Sequence, residues 1–247
     1  MRLWLYLLVT NCAVCSCSVA FSQDRQHVAS PTGTTDVLGD TRAVLGGVEI
    51  LLPPPQGDFA EVGALIRTKS FEPMVSTANR LLTAYVPGGL IPALNTGGAP
   101  VTLPTYAMVQ VSKRSESVPC TPEDFQRVLA TMEPALNKYA TEKNEELEKE
   151  LTARRKSPGL ADPFELDRPF ATLGWVVRNV DAAGYVMLIT ARGDQFSVTM
   201  VMGAGLVRVR ERLIFVYSYR KYESPDSVRA AGKELGTWVD EILFKNR

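Results

Sequence analysis

Between Leu173 and Tyr219 the chain runs through four segments rich in Val, Ile, Tyr, Phe and Met: Leu173 to Val180, Tyr185 to Arg192, Phe196 to Val209 and Arg212 to Tyr219. The separators, Asp181 to Gly184, Gly193-Asp194 and Arg210-Glu211, are short and turn-prone. Parallel strands need a crossover of about a dozen residues or more, so connections this short force an antiparallel four-strand meander. Leu213, Phe215, Tyr217 and Tyr219 share one face of the last strand, with Ile214 and Val216 on the other. A sheet that is apolar on both sides must be covered on both.

Two helical patterns can supply the cover. Thr121 is placed to cap a helix, Pro122 sits at its first position, and Glu123 and Asp124 face the positive end of its dipole. Phe125, Val128, Leu129, Met132, Leu136 and Tyr139 then form one apolar stripe, with Pro134 expected to kink or split the helix. Beyond it, residues 141–156 are strongly charged, with Glu145-Lys149 and Glu150-Arg154 in the favourable i to i+4 order, before Ser157, Pro158 and Gly159 stop the pattern. Pro122 to Lys156 would span roughly 50 Å as one helix. The charged half is expected to overhang the body as a solvated helix, or to dock a partner through Leu147 and Leu151. At the C-terminus, Ser224 caps a second helix whose apolar face is Val228, Ala231, Leu235, Trp238, Val239 and Ile242, with Gly232 and Gly236 allowing close approach to the sheet.

The N-terminal half adds strands at Val48 to Leu52, stopped by Pro53 to Pro55, at Arg80 to Val86, and at Tyr106 to Val111. Phe59 to Ala78 is ambiguous, with room for one or two short helices, and Asn95 to Pro100 reads as a loop. The fold class is α+β: an antiparallel sheet of the C-terminal meander and N-terminal strands, covered by a long central helix and a C-terminal helix. From Gly205 through Tyr219 to Ser224-Pro225 and Trp238, the ending is similar to that of exported bacterial proteins with a PsbP-like αβα sandwich pattern. The resemblance implies that fold over about the last 75 residues, and carries no functional residue with it.

Residues 1–22 set an expectation about compartment. Met1-Arg2, the apolar run Leu3 to Val9 and the small residues up to Ser22 have the order of a secretory signal peptide, with cleavage after Ala20 or Ser22. Cys12, Cys15 and Cys17 lie in that segment, so Cys120 alone would remain, with no internal disulfide partner. Lipid attachment at Cys17 is the lesser alternative. Residues 23–45 read as a mobile leader holding the single His, His27, and residues 46–247 as one domain without a transmembrane segment after cleavage. The expected destination is the periplasm or the exterior of a bacterium.

The chemistry that remains is narrow. With one His and one thiol in the mature chain, Ser-His-Asp, Cys-His and zinc arrangements have no partners, so neither a catalytic set, a metal nor a cofactor is expected. Ser218 to Lys221 matches Ser-x-x-Lys, but Ser218 ends a strand and the accompanying motifs are absent. Asp162, Glu165 and Asp167 are the carboxylates a hydrolase acting on envelope glycans would use. Gly203-Ala204-Gly205 marks a bulge or a close contact. Arg208, Arg210, Arg212, Arg220 and Lys221, interleaved with Tyr217 and Tyr219, would form a basic and aromatic edge for an anionic ligand or an envelope protein. Equal numbers of acidic and basic residues, 27 each, argue against nucleic acid. The reading reached from sequence is a non-catalytic binding or accessory protein of the envelope. Self-association through the charged helix is a further alternative.

Overall fold

The computed structural model describes residues 40–96, 103–141, 164–166, 171–193 and 196–247. The signal segment, His27, the charged stretch with Leu147 and Leu151, and Asp162 and Asp167 all lie outside the described residues. A strand precedes Gly46. Strand β1 (Thr41–Leu45) pairs antiparallel with β2 (Val48–Leu52), so the last part of the expected leader is a strand. Ala43 and Leu45 point inward and are buried, and Gly46-Gly47 close a two-residue turn that brings them onto Ile50 and Leu52.

The ambiguous stretch after the prolines resolves into β3 (Phe59–Glu61) and three short helical turns, Ala64–Ile66, the π-type Arg67–Phe71 and the 3-10 turn Glu72–Met74. Then come β4 (Asn79–Pro87), the short helix α1 (Ile91–Thr96), which takes Asn95 and Thr96 out of the expected loop, and β5 (Thr105–Ser112). Helix α2 (Pro122–Thr141) opens with Thr121 and Asp124 capping one another. It is not divided at Pro134, which lies on its exposed side. The final part is β6 (Phe164–Leu166), β7 (Ala171–Arg178), β8 (Ala182–Gly193), β9 (Phe196–Val209), β10 (Arg212–Lys221) and helix α3 (Pro225–Lys245).

The eight-stranded sheet runs β3-β4-β5-β10-β9-β8-β6, and β7 also pairs with β8. Every pairing is antiparallel, and the meander β7 to β10 is present as its short turns require. β8 begins at Ala182, so the turn before it is tighter than the sequence indicates: Asn179 Oδ1 accepts from the N–H groups of Asp181 and Ala182 at 2.9 and 2.7 Å.

Each face of the sheet carries a helix. Phe125, Leu129, Met132 and Leu136 of α2 pack with Tyr106, Tyr185, Leu213, Phe215, Tyr217 and Tyr219. Leu235, Trp238, Val239 and Ile242 of α3, all fully buried, pack with Val207, Val209, Ile214 and Val216. Burying one such large apolar side chain contributes about 1.5 to 3 kcal/mol. Gly203 and Gly205 are close contacts and not a bulge, since the register runs through them unbroken. A Cβ at Gly205 would stand 2.7 Å from Val216 Cγ2 and 3.5 Å from Leu235, so the bare backbone gives α3 its seat. Gly232 does the same on the helix side, where a Cβ would lie 3.0 Å from Val176. Ser224 caps α3, and Trp238 Nε1 donates to Pro53 O at 2.7 Å. Among the described residues no helix is long and apolar enough to cross a membrane.

Candidate functional site

The expected basic edge is broken by the turn in its middle. Arg210 and Glu211 form a two-residue connection between Val209 and Arg212, and both take positive φ, 45° and 58°. That is the backbone of a type I′ turn, which suits Asn-Gly and strains side chains with a Cβ. Because the chain reverses there, the alternation of Arg208, Arg210 and Arg212 does not continue along one face. Arg208 lies opposite Leu213 and so belongs to the α2 face, and Arg212 lies opposite Val209 on the α3 face.

Each arginine has its own local task. Arg208 forms an ion pair with Asp181, whose carbonyl also accepts the Arg208 N–H at 2.7 Å. Arg210 reaches over the end of α3, donating Nε to Asn246 O at 3.1 Å and Nη1 to Glu49 O at 3.2 Å. Arg212 is 7% exposed and donates Nε to Leu45 O and Nη1 to Glu211 O, each at 3.1 Å. It therefore ties the β1-β2 turn to the β9-β10 turn. Arg220 pairs with Glu234 of α3 at the far end of β10, roughly 25 Å along the strand from Arg212. Lys221 is exposed at that same end, and Tyr217 and Tyr219 are fully buried in the α2-facing core, where Tyr219 stacks on Tyr106 at 4.6 Å. The seven side chains expected to act together are thus divided among two faces and two ends of the strand.

Two of them do line a concavity. An open groove of about 750 Å³ lies between the β7-β8 turn, the β9-β10 turn and the last turn of α3. Arg208, Arg210 and Glu211 line it from the β9-β10 hairpin, Asp181 lies beside Arg208 at the β7-β8 turn, and Asp240 and Phe244 of α3 complete it with Arg247 just beyond the helix. Asn246 fixes the helix end here: Oδ1 accepts from Leu51 N, and Nδ2 donates to Leu51 O and Ile242 O, all at 2.8 Å. Val180 and Phe244 both line the groove and both are 65% exposed, and the Arg247 guanidinium lies 5.5 Å from the Phe244 ring centre. Sequence periodicity misses this half of the site. Its one visible signal is Phe244, a large aromatic that falls outside the α3 stripe ending at Ile242.

The electrostatics favour a mixed partner surface over a lone anion. α3 presents the negative end of its dipole toward the groove, where Arg210 already donates to Asn246 O, and Lys245 in the last turn pairs with Asp40 at 3.1 Å. Arg208 is neutralised by Asp181. What the groove offers is both signs of charge together with two exposed apolar side chains, Val180 and Phe244.

The other candidates are placed as follows. Ser218 is buried under α3 beside Gly203, and Lys221 is exposed with the opposite strand parity, so Ser-x-x-Lys forms no constellation. Glu165 lies in β6 opposite Arg192, and the other two carboxylates of that group are outside the described residues. Among the described residues no three His, Cys, Asp or Glu side chains group as a metal site. Cys120 is a free thiol, 8% exposed, and burial pushes its pKa up, with the Asp124 charge adding and Arg208 opposing. Its N–H donates to Glu211 O at 2.9 Å, which braces the strained turn from the start of α2.

No protein-family model matches the chain, and no curated protein matches it in sequence. Among solved structures it is similar to the Saccharomyces cerevisiae Ran-binding protein Mog1p, at 12% identity over 85% of this chain and 93% of that one, with a TM-score of 0.28. A point mutant of Mog1 gives 12% identity over 84% and 92%, with the same TM-score. A likeness at that score carries no argument about fold or partner.

Proposed function

We propose that this is an exported, non-catalytic binding or accessory protein of the bacterial envelope, and that it engages a protein partner through the groove at the β9-β10 turn. The observation that carries the reading is the groove itself: two exposed apolar side chains, Val180 and Phe244, set among both signs of charge on a turn held in a strained backbone. Strained residues persist where their surroundings over-determine them, and they concentrate at functional sites. Aromatic and Arg side chains are also the types enriched at protein interfaces. The PsbP-like αβα sandwich belongs to the same proposal. It is supported by the antiparallel sheet with a helix on each face and by the resemblance of the C-terminal residues.

Export rests on the pattern of residues 1–22. Its test is the N-terminal sequence of protein recovered from a bacterial host, expected to begin at Phe21 or Gln23 in the periplasmic fraction. Retention in the cytoplasm with Met1 in place would remove the envelope from the proposal. The docking claim is tested by recovery from an envelope extract with wild type beside Phe244→Glu. A partner held by the first and lost by the second supports it, and equal recovery by both removes the groove.

A further inference from the structure

We infer that the partner seated in this groove is a second copy of the same chain, docked about a twofold axis through the β9-β10 turn and the end of α3. The inference rests on the reading of the groove as a docking surface, and charge complementarity selects the occupant. Of the six charged residues that line the groove, Arg208 and Asp181 are paired with each other. That leaves Arg210 and Arg247 against Glu211 and Asp240, none of which has an ion-pair partner among the described residues. A twofold axis brings a patch against itself, so each sign must find the other within the same patch. Two cations and two carboxylates meet that condition. A partner of a single sign would meet repulsion from half of the wall.

The exposed apolar pair fits the same arrangement. Phe244 is 65% exposed, and the groove has room for one phenyl ring from a facing copy. The guanidinium resting on that ring would travel with it, which places Arg247 of one copy toward Asp240 of the other. Strand β7 offers a competing route, because Leu173 and Val176 are exposed there at 44% and 42%. Its register shifts twice, between Thr172 and Gly174 and between Trp175 and Val177, so its backbone does not present the regular ladder that edge-to-edge pairing needs.

The test is sedimentation of the purified protein across a concentration series. Wild type is expected to pass from single-chain to two-chain mass. Phe244→Glu, Asp240→Lys and Arg247→Glu are each expected to weaken that association by roughly tenfold or more. Mixing Asp240→Lys with Arg247→Glu in equal amounts is expected to restore it, because a mixed pair puts Lys against Glu at one contact and Arg against Asp at the other. Restoration also shows that both variants are folded. The inference is overturned if wild type keeps single-chain mass up to about 0.1 mM, if the dimer is indifferent to all three substitutions, or if the mixture associates no better than its components. A single-chain wild type that still recovers another envelope protein in a Phe244-dependent way overturns the second copy alone and leaves the docking surface standing. A single-chain wild type that recovers nothing removes both.

Discussion

Two hairpin turns stand side by side in this molecule, and they solve the same geometry with opposite residues. The β1-β2 turn uses Gly46 and Gly47 at φ 54° and 80°, and the β9-β10 turn uses Arg210 and Glu211 at φ 45° and 58°. Glycine takes such angles at no steric cost, whereas a residue with a Cβ is strained by about 1 to 3 kcal/mol. The glycine turn is a local solution. The Arg-Glu turn is held by contacts from outside it: Arg210 on Asn246 O and Glu49 O, and Cys120 N and Arg212 Nη1 on Glu211 O. Side chains at a strained turn are worth keeping only where they do something, and these two form a wall of the groove.

The contrast can be broken from either side. Gly46→Ala carries the largest expected effect, a loss of about 2 to 4 kcal/mol in urea unfolding, because its φ is positive and the new Cβ would lie 2.6 Å from the Ser117 Cα. Gly47→Ala meets open space and should cost only about 1 kcal/mol. Equal losses at the two positions would mean that contact with Ser117 does not anchor the hairpin. Arg212→Met comes next, at about 2 to 3 kcal/mol, since it removes the buried guanidinium that joins Leu45 O to Glu211 O. An unchanged denaturation midpoint would show that the two turns stand independently.

Glu211→Gly should act in the opposite direction and stabilise the monomer by about 1 kcal/mol, because it relieves one strained φ and breaks no side-chain hydrogen bond or ion pair of Glu211 among the described residues. A destabilised variant would contradict the strain argument. The smallest effect concerns acid. Thr121 holds the Asp124 carboxyl below its ordinary range through a backbone and a side-chain hydrogen bond, with Arg127 adding to the shift. A carboxylate depressed in the folded state contributes stability that is complete above its unfolded pKa and is lost as pH falls through the folded value. Stability against pH below about 4 should therefore fall less steeply in Asp124→Asn than in wild type. Identical slopes would show that this cap, and the brace it gives Cys120 on the Arg-Glu turn, has no part in acid unfolding.

The meander, the strands at β4 and β5 and the starts of the two long helices are legible because they rest on local rules, whereas the three-residue strands β3 and β6 are too short to carry a pattern. Alternation in Leu213 to Tyr219, turns of two or three residues, and the caps at Thr121 and Ser224 act within a few residues of themselves. β1 was missed because five residues, Thr41 to Leu45, carry too little pattern to be told from a leader, and only pairing across Gly46-Gly47 makes them a strand. The candidate site was less visible for a related reason. Arg208, Arg210 and Arg212 look alike on the assumption of an extended chain, and a turn with no Gly or Asn gives no warning that the chain reverses between them. Asp240 and Phe244 come from a helix, and Arg247 from just beyond it, more than thirty residues on in the chain from Arg208, brought to the turn by the seating of α3 on Gly203 and Gly205.

The central claim is that the strained turn is kept as part of a docking surface for a second copy. Its most direct test is the melting temperature of wild type and Glu211→Gly, each followed over a wide range of protein concentration. Association stabilises a folded chain by mass action, so the account predicts a wild-type melting temperature that climbs with concentration. It predicts that Glu211→Gly melts higher than wild type when dilute and climbs less. A wild-type melting temperature independent of concentration, or a variant that gains stability and climbs as steeply as wild type, would contradict it.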